Sequence, residues 1–129
     1  MIAVDTNILV RLLTRDNEAE YAASYQLFAT EEIFIPDTVI LETEWVLRFA
    51  YDLNPTEICD AFRKLFGLVN VTISSEQKIA QVISWHELGL DFADALHLVM
   101  SQGYDTLKTF DKNFIKKSKG LMNCRVERP

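Results

Sequence analysis

Short apolar segments alternate along this chain with segments of helical periodicity, and this alternation limits the folds that the chain can adopt. The strand candidates end at polar or turn-forming residues. They lie at residues 2–4, 33–35, 69–73 and 106–110, with a weaker fifth at 124–126. Short strands that alternate with helices favour a mainly parallel sheet with helices on both faces. The sequence therefore predicts an α/β fold.

The predicted helices carry their own start signals. Asn54, Pro55 and Glu57 supply an N-cap, a first-turn proline and a capping-box glutamate, which predict a helix from residue 55. Asp37 is the predicted cap of a helix that runs through Phe49. The other predicted helices cover residues 8–13 and 19–29, begin at Ser75, and run from residue 91 or 92 to Met100.

The length of 129 residues and an apolar share of 49% predict one compact domain over residues 1–129. No apolar run approaches the roughly 20 residues of a membrane span, and the first apolar run meets Asp5 too early for a secretory signal. We therefore expect a cytoplasmic protein with no membrane association. The two cysteines are far apart and form no CxxC pair, so Cys59 is expected in the core and Cys124 in a strand or at the surface.

The formal net charge of −6 argues against a passive nucleic-acid coat, which normally presents a basic face to phosphate. Basic residues nevertheless concentrate near the end of the chain. They are Lys108, Lys112, Lys116, Lys117, Lys119, Arg125 and Arg128, opposed there by Asp111 and Glu127 alone. This run is either a solvated face or a rim that contacts RNA phosphates, for which Lys112, Lys116 and Lys117 are the candidates.

Four acids stand out by their positions. Asp5 and Asp111 each follow a strand candidate, at the edge where parallel sheets bind ligands. Glu42 and Asp94 interrupt apolar helical segments. Taken singly, Asp94 could oppose its helix dipole, and either Glu42 or Glu44 could lie on a solvated face.

Taken together, the four acids predict a metal site. Carboxylates about 4 Å apart repel by roughly 4 kcal/mol per pair at an effective dielectric constant near 20, so a cluster must hold protons or cations. Oxygen ligands suit Mg²⁺ or Mn²⁺, and no CxxC or HExxH pattern indicates zinc. The expected chemistry is metal-assisted hydrolysis of a phosphodiester.

The segments around these acids resemble the PIN-domain ribonucleases, and among them the VapC-type toxins of bacterial toxin–antitoxin pairs. The similar segments are VDTN at 4–7, IPDTV at 35–39 with LETEWVL at 41–47, DFADALH at 91–97 and TFD at 109–111. The resemblance implies a PIN-like three-layer α/β/α fold with a central, mainly parallel five-stranded sheet. It also implies an endoribonuclease dependent on Mg²⁺ or Mn²⁺, which forms a homodimer and is neutralised by a cognate antitoxin protein.

Carried over by position, the resemblance makes Asp5 and Asp94 direct metal ligands. Glu42 and Asp111 complete the site, either directly or through water. Asn7 and Thr109 match polar positions of the pocket, and a turn-forming asparagine and an ordinary strand threonine are the alternatives for these two residues.

Two residues near Asp94 allow more than one interpretation. Asp91 precedes it by three positions, so Asp91 either joins the site or caps the helix, and we interpret it as the cap. His97 follows by three positions and could act as a general base or a ligand. We interpret His97 as packed on its helix, because metal-assisted hydrolysis does not require a histidine.

Other protein classes share parts of this pattern of acids. Phosphatases of the haloacid-dehalogenase type use DxD after the first strand, and Asp5-Thr6-Asn7 lacks the second aspartate. A receiver domain needs an acceptor aspartate on a middle strand, and residues 69–73 contain none. The remaining alternatives are a PIN-type nuclease of RNA processing and a non-catalytic PIN-like module that binds RNA or protein.

Overall fold

The computed structural model describes residues 1–129, which form seven helices and five strands in two compact units, Met1–Glu76 and Gln77–Pro129. The first unit contains β1 (Ile2–Ala3), α1 (Thr6–Thr14), α2 (Glu18–Thr30), β2 (Ile33–Ile35), α3 (Asp37–Phe49), α4 (Pro55–Phe66) and β3 (Val71–Ile73). The second begins within the first turn of α5 (Glu76–Glu87) and continues with α6 (Phe92–Met100), β4 (Thr106–Lys108), α7 (Lys112–Ser118) and β5 (Arg125–Glu127). None of the helices combines the length and apolarity needed to cross a membrane.

In the first unit, β1, β2 and β3 pair in that order as a parallel sheet. Ile33 of β2 lies opposite Ile2 of β1 and Val71 of β3. Ile33 and Ile35 are fully buried, because residues two apart in a strand point to the same face. The third strand is shorter than predicted, since Val69 is fully exposed and precedes it.

The beginning of α4 agrees with its sequence signals. The side chain of Asn54 accepts a hydrogen bond of 2.9 Å from the Glu57 N–H, and the Glu57 carboxylate accepts one of 3.1 Å from the Asn54 N–H. Ile58, Phe62 and Leu65 then form a buried stripe one helical turn apart. The cap fixes the start of the helix, and the stripe attaches it to the core.

The beginning of α3 differs from the prediction. Pro36 occupies the N-cap position and its side chain makes no capping hydrogen bond, so the prediction of Asp37 as the cap is wrong. Asp37 is instead the first residue of the helix, and its Oδ1 accepts a hydrogen bond of 2.6 Å from the hydroxyl of Ser74. A negative charge in the first turn still favours the helix through its dipole.

In the second unit, β4 and β5 pair as a parallel two-stranded sheet with Leu107 opposite Val126. All five predicted strands are therefore present, every pairing is parallel, and hydrogen bonds join them as sheets of three and two. β4 ends two residues earlier than predicted, at Lys108, and β5 begins one residue later, at Arg125.

The seven-residue helix α7 was not among the predicted elements. Asp111 is its N-cap, and the buried Phe114 attaches it to the second unit. A single apolar anchor in a lysine-rich segment gives too little periodicity to reveal such a helix.

The two cysteines are both buried. Cys59 is fully buried, as predicted. Cys124 directly precedes β5, so its expected place in a strand or at the surface is wrong.

Candidate active site

The first two candidate acids lie in the unit formed by Met1–Glu76. Asp5 is exposed and caps α1, with its Oδ1 accepting a hydrogen bond of 3.3 Å from the Ile8 N–H. The next residue, Thr6, is buried and donates its hydroxyl hydrogen bond to Oε1 of Glu42 on α3. Thr6 thus ties the start of α1 to α3 and fixes Glu42 beside the residue that follows Asp5.

Glu42 and Glu44 of α3 differ in their burial. Glu42 is exposed, whereas Glu44 is 1% exposed and pairs with Arg48 one turn later at 2.8 Å. The buried carboxylate of this helix is therefore Glu44, and its charge is balanced by Arg48. Glu42 keeps a solvent-facing carboxylate with one hydroxyl donor, an arrangement that leaves it able to bind a cation.

Asn7 occupies the second position of α1 and is exposed. Its interpretation as a turn-forming asparagine is wrong, because the helix has already begun. The role of Asn7 in the metal site stays a prediction. Thr6 is not among the predicted site residues. Its partner Glu42 lies 36 positions away along the chain, so no local pattern reveals the contact.

The other two candidate acids lie in the unit formed by Gln77–Pro129, and here the structure brings them together. Asp94 of α6, Thr109 and Asp111 line one pocket of about 570 Å³. Three further polar side chains and three apolar ones complete its wall. They are His97, Ser101 and Lys108, and Met100, Leu107 and Phe114. Asp94, Thr109 and Asp111 therefore share one pocket within this unit, and their role as a metal site stays a prediction.

The electrostatics of this pocket disfavour a charged Asp94. Partial burial, followed by the nearby carboxylates of Asp91 and Asp111, raises the pKa of Asp94 above the ordinary aspartate value, while His97 acts in the opposite direction. The pocket thus concentrates negative charge that its own side chains do not fully balance.

Asp111 is held in place by backbone groups. Its Oδ1 accepts hydrogen bonds of 2.9 and 3.1 Å from the N–H groups of Asn113 and Phe114, as expected of an N-cap. Its own N–H donates to the hydroxyl of Thr109 at 3.0 Å. Thr109 lies just after β4, where its N–H still donates to the Glu127 carbonyl oxygen at 3.1 Å, and its hydroxyl orients Asp111.

The interpretation of Asp91 is confirmed, whereas that of His97 is wrong. Asp91 is the N-cap of α6, and its Oδ2 accepts a hydrogen bond of 3.2 Å from the Asp94 N–H, which confirms the cap. His97 is exposed and lines the pocket, so its interpretation as a histidine packed on its helix is wrong. A three-residue spacing places Asp94 and His97 on one helical face, and this face is the open one.

The donor set of this unit fits a hard divalent cation. Mg²⁺ is usually held by one or two carboxylates and keeps several waters, so Asp94 and Asp111 are enough protein ligands for it. Bound there, it would relieve the carboxylate repulsion that, after partial burial, raises the pKa of Asp94. Neither unit groups three or more carboxylate, imidazole or thiolate side chains of its own as a metal site.

The candidate RNA-binding lysines differ in their contacts. Lys112 and Lys116 are exposed on α7 and make no ion pair. Lys117 donates a hydrogen bond of 3.1 Å to the carbonyl oxygen of Gly89. Lys108 pairs with Glu127 at 2.7 Å. Two of the three predicted rim lysines therefore have fully available charges.

The sequence model of the PIN domain matches residues 2–120. Among solved structures, the chain is similar to the crystal structure of VapC20 of Mycobacterium tuberculosis, described as a sarcin-ricin loop cleaving toxin. That match has 20% identity and a TM-score of 0.44, and it covers 97% of this chain and 99% of the other. No curated protein sequence matches the chain significantly.

Proposed function

We propose that this chain, which belongs to the PIN-domain family, is a metal-dependent endoribonuclease that hydrolyses RNA phosphodiester bonds. The observation that carries the proposal is the pocket in which Asp94 and Asp111 face the same space and repel one another. A carboxylate pair of this kind is suited to bind a divalent cation and, with it, a phosphate group.

In this proposal Asp5 and Asp94 bind Mg²⁺ or Mn²⁺ directly, and Glu42 and Asp111 complete the ligand set directly or through water. The metal, when bound, supplies an activated water and a positive charge for the phosphate oxygens. The protein's own contribution is positioning. Thr6 holds Glu42 through its hydroxyl, and the first turn of α7 holds Asp111 through two N–H groups.

The basic segment would hold the RNA backbone. Lys112 and Lys116 have exposed, unpaired charges, which suits them to contact phosphates on either side of the cleaved bond. Lys117 would contribute less, because it already donates to Gly89. The double substitution Lys112→Glu and Lys116→Glu, which reverses both charges, should weaken RNA binding and reduce the dependence of binding on salt concentration.

We further propose that the biological role is that of a toxin, active as a homodimer in the cytoplasm and neutralised by a cognate antitoxin protein. The support is the resemblance of the segments around the four acids to VapC-type toxins. Expression of the chain alone should arrest bacterial growth, and co-expression of a small protein encoded beside it should restore growth. Growth unaffected by a soluble, RNA-cleaving chain would instead favour the role in RNA processing.

The activity is tested by incubating the purified protein with a pool of structured RNAs in Mg²⁺, Mn²⁺ or EDTA. Asp5→Asn and Asp94→Asn are compared with Asp105→Asn, an exposed acid that lines a different pocket of the second unit. We expect metal-dependent cleavage by the wild type and by Asp105→Asn, and its loss in the other two variants. Cleavage that persists in EDTA, or in Asp94→Asn, would contradict the proposed metal site.

A further inference from the structure

Phe110 is a large apolar side chain in an unexpected place. It lies between Thr109 and Asp111, two residues that line the acidic pocket, yet its side chain is 72% exposed. Solvent contact over most of an aromatic side chain carries a free-energy penalty that a buried position would remove. A ring held in the open beside a candidate metal ligand is therefore a candidate for a contact with a partner molecule.

A purely structural role for Phe110 would be the hydrophobic staple of α7. In that motif the residue before the N-cap packs against the fourth helical residue, which here is Ile115. The exposure of Phe110 shows that the ring is not covered in this way. The sequence position alone therefore does not account for an aromatic side chain here.

A cation lies beside the ring, in a basic part of the sequence. The guanidinium of Arg128 lies 5.6 Å from the centroid of the Phe110 ring, within the range of a cation–π contact. Residues 106–129 carry seven basic side chains against the two acids Asp111 and Glu127, although the whole chain has a net charge of −6. An exposed aromatic ring beside a cation is typical of sites that stack the bases of single-stranded nucleic acid.

We propose that Phe110 stacks on an unpaired base of single-stranded RNA next to the phosphodiester that enters the pocket of Asp94 and Asp111. This inference rests on the proposed ribonuclease function and adds a substrate contact to it. Adjacent residues are about 3.8 Å apart along the backbone, so a nucleotide bound at Asp111 places its neighbouring base within reach of Phe110. Arg128 covers one face of the ring and offers its charge to the RNA backbone.

Stacking is tested by RNA binding in EDTA, where cleavage cannot contribute. The probes are short oligoadenylates that each carry one 2-aminopurine at a different position, since the fluorescence of this base reports stacking. Phe110→Leu is compared with Phe110→Trp and with Tyr104→Leu, which removes an equally exposed ring from another pocket of the same unit. Thermal unfolding of each variant checks that the fold is retained.

We expect Phe110→Leu to weaken binding by roughly 5- to 150-fold, the loss of one base–aromatic stack, and to remove the fluorescence change at one position. Phe110→Trp and Tyr104→Leu should bind like the wild type. An abasic nucleotide at the responsive position should weaken wild-type binding but leave Phe110→Leu unaffected, because the stack is already absent.

Three results would overturn the inference. They are absence of oligoadenylate binding by the wild type, equal binding by Phe110→Leu, and a Phe110→Leu variant that changes only the concentration dependence of self-association. The last result would identify the ring as a protein contact. Failure of the ribonuclease proposal is recognised separately, because it appears as absent cleavage in Mg²⁺ and Mn²⁺ while binding in EDTA still reports on Phe110.

Discussion

The two units treat their candidate acids differently. In the first unit, Asp5 and Glu42 are exposed and each is matched by a nearby donor, the Ile8 N–H for Asp5 and the Thr6 hydroxyl for Glu42. In the second unit, Asp94 is partly buried beside like charges, and its pKa is raised. The first two acids each have a hydrogen-bond donor of their own, whereas Asp94 lies where a cation would relieve its surroundings most.

This difference bears on the roles of the acids in the proposed metal site. A carboxylate that accepts a hydrogen bond from a nearby donor is held in position to bind a cation or a water of its coordination shell. A carboxylate kept in a repulsive environment binds a cation with the additional gain of relieved repulsion. Variants in the second unit should therefore affect activity more than variants of the positioning residue in the first.

The largest effect is expected for Asp111→Asn. Asparagine caps a helix about as well as aspartate, so the free energy of unfolding should stay within a few tenths of a kcal/mol of the wild type. RNA cleavage should fall by about 10³-fold or more, because several kcal/mol of charge stabilisation are lost. Initial cleavage rates in Mg²⁺-saturated buffer and urea unfolding in EDTA, where metal binding does not contribute to stability, provide the comparison.

Asp111→Ala is the companion variant. It should lose the same activity and, in addition, about 1 kcal/mol of stability, because the N–H groups of Asn113 and Phe114 lose their acceptor. Equal activity in Asp111→Asn and the wild type would mean that Asp111 only caps α7. The proposed contribution of this acid to the metal site would then be wrong.

A smaller effect is expected for Thr6→Val, which removes the hydroxyl that holds Glu42. Loss of such an orienting contact typically lowers metal affinity or activity by about 10- to 100-fold. Thr6→Ser keeps the hydroxyl and should restore cleavage. Thr30→Val is a matched control, since its exposed hydroxyl bonds only to the Gln26 carbonyl within α2. Equal cleavage rates in Thr6→Val and Thr30→Val would show that Glu42 needs no positioning.

Much of this fold could be predicted from the sequence because its signals are local. The capping box of α4 involves residues three positions apart. The strands at 33–35 and 71–73 are short apolar runs whose backbone groups form hydrogen bonds with each other. The predicted PIN-like α/β fold is confirmed by the family match over residues 2–120. Helix α7 could not be predicted, since only Phe114 and Ser118 are buried in it.

The candidate site was less predictable because it depends on contacts between distant residues. The type and order of the acids are visible in the sequence, but the bond from Thr6 to Glu42 is not. Periodicity also leaves open which of Glu42 and Glu44 faces the core, since both interrupt the same apolar run. His97 was misinterpreted for the same reason. In a mainly apolar helix such as α6, the sequence does not show which face stays exposed to solvent when the helix packs on the core.

The smallest predicted effect concerns stability and pH in the metal-free protein, and it tests the difference between the two acid pairs directly. The folded state raises the pKa of Asp94 above its unfolded value of about 4, so folding favours the protonated form. The associated stability is present below pH 4 and is lost as the pH rises through the folded-state pKa. Asp94→Asn, which has no such charge, should therefore be more stable than the wild type at pH 7.

The gain should stay below about 1 kcal/mol, because solvent screens a partly exposed carboxylate, and it should disappear below pH 4. Urea unfolding in EDTA across this pH range measures it, with Glu42→Gln as the control from the first unit. Added Mg²⁺ should reverse the order at pH 7, since the cation stabilises the wild type by binding to its folded state. If Asp94→Asn were less stable than the wild type in EDTA at pH 7, the second unit would not store the repulsion that the proposed metal site is meant to relieve.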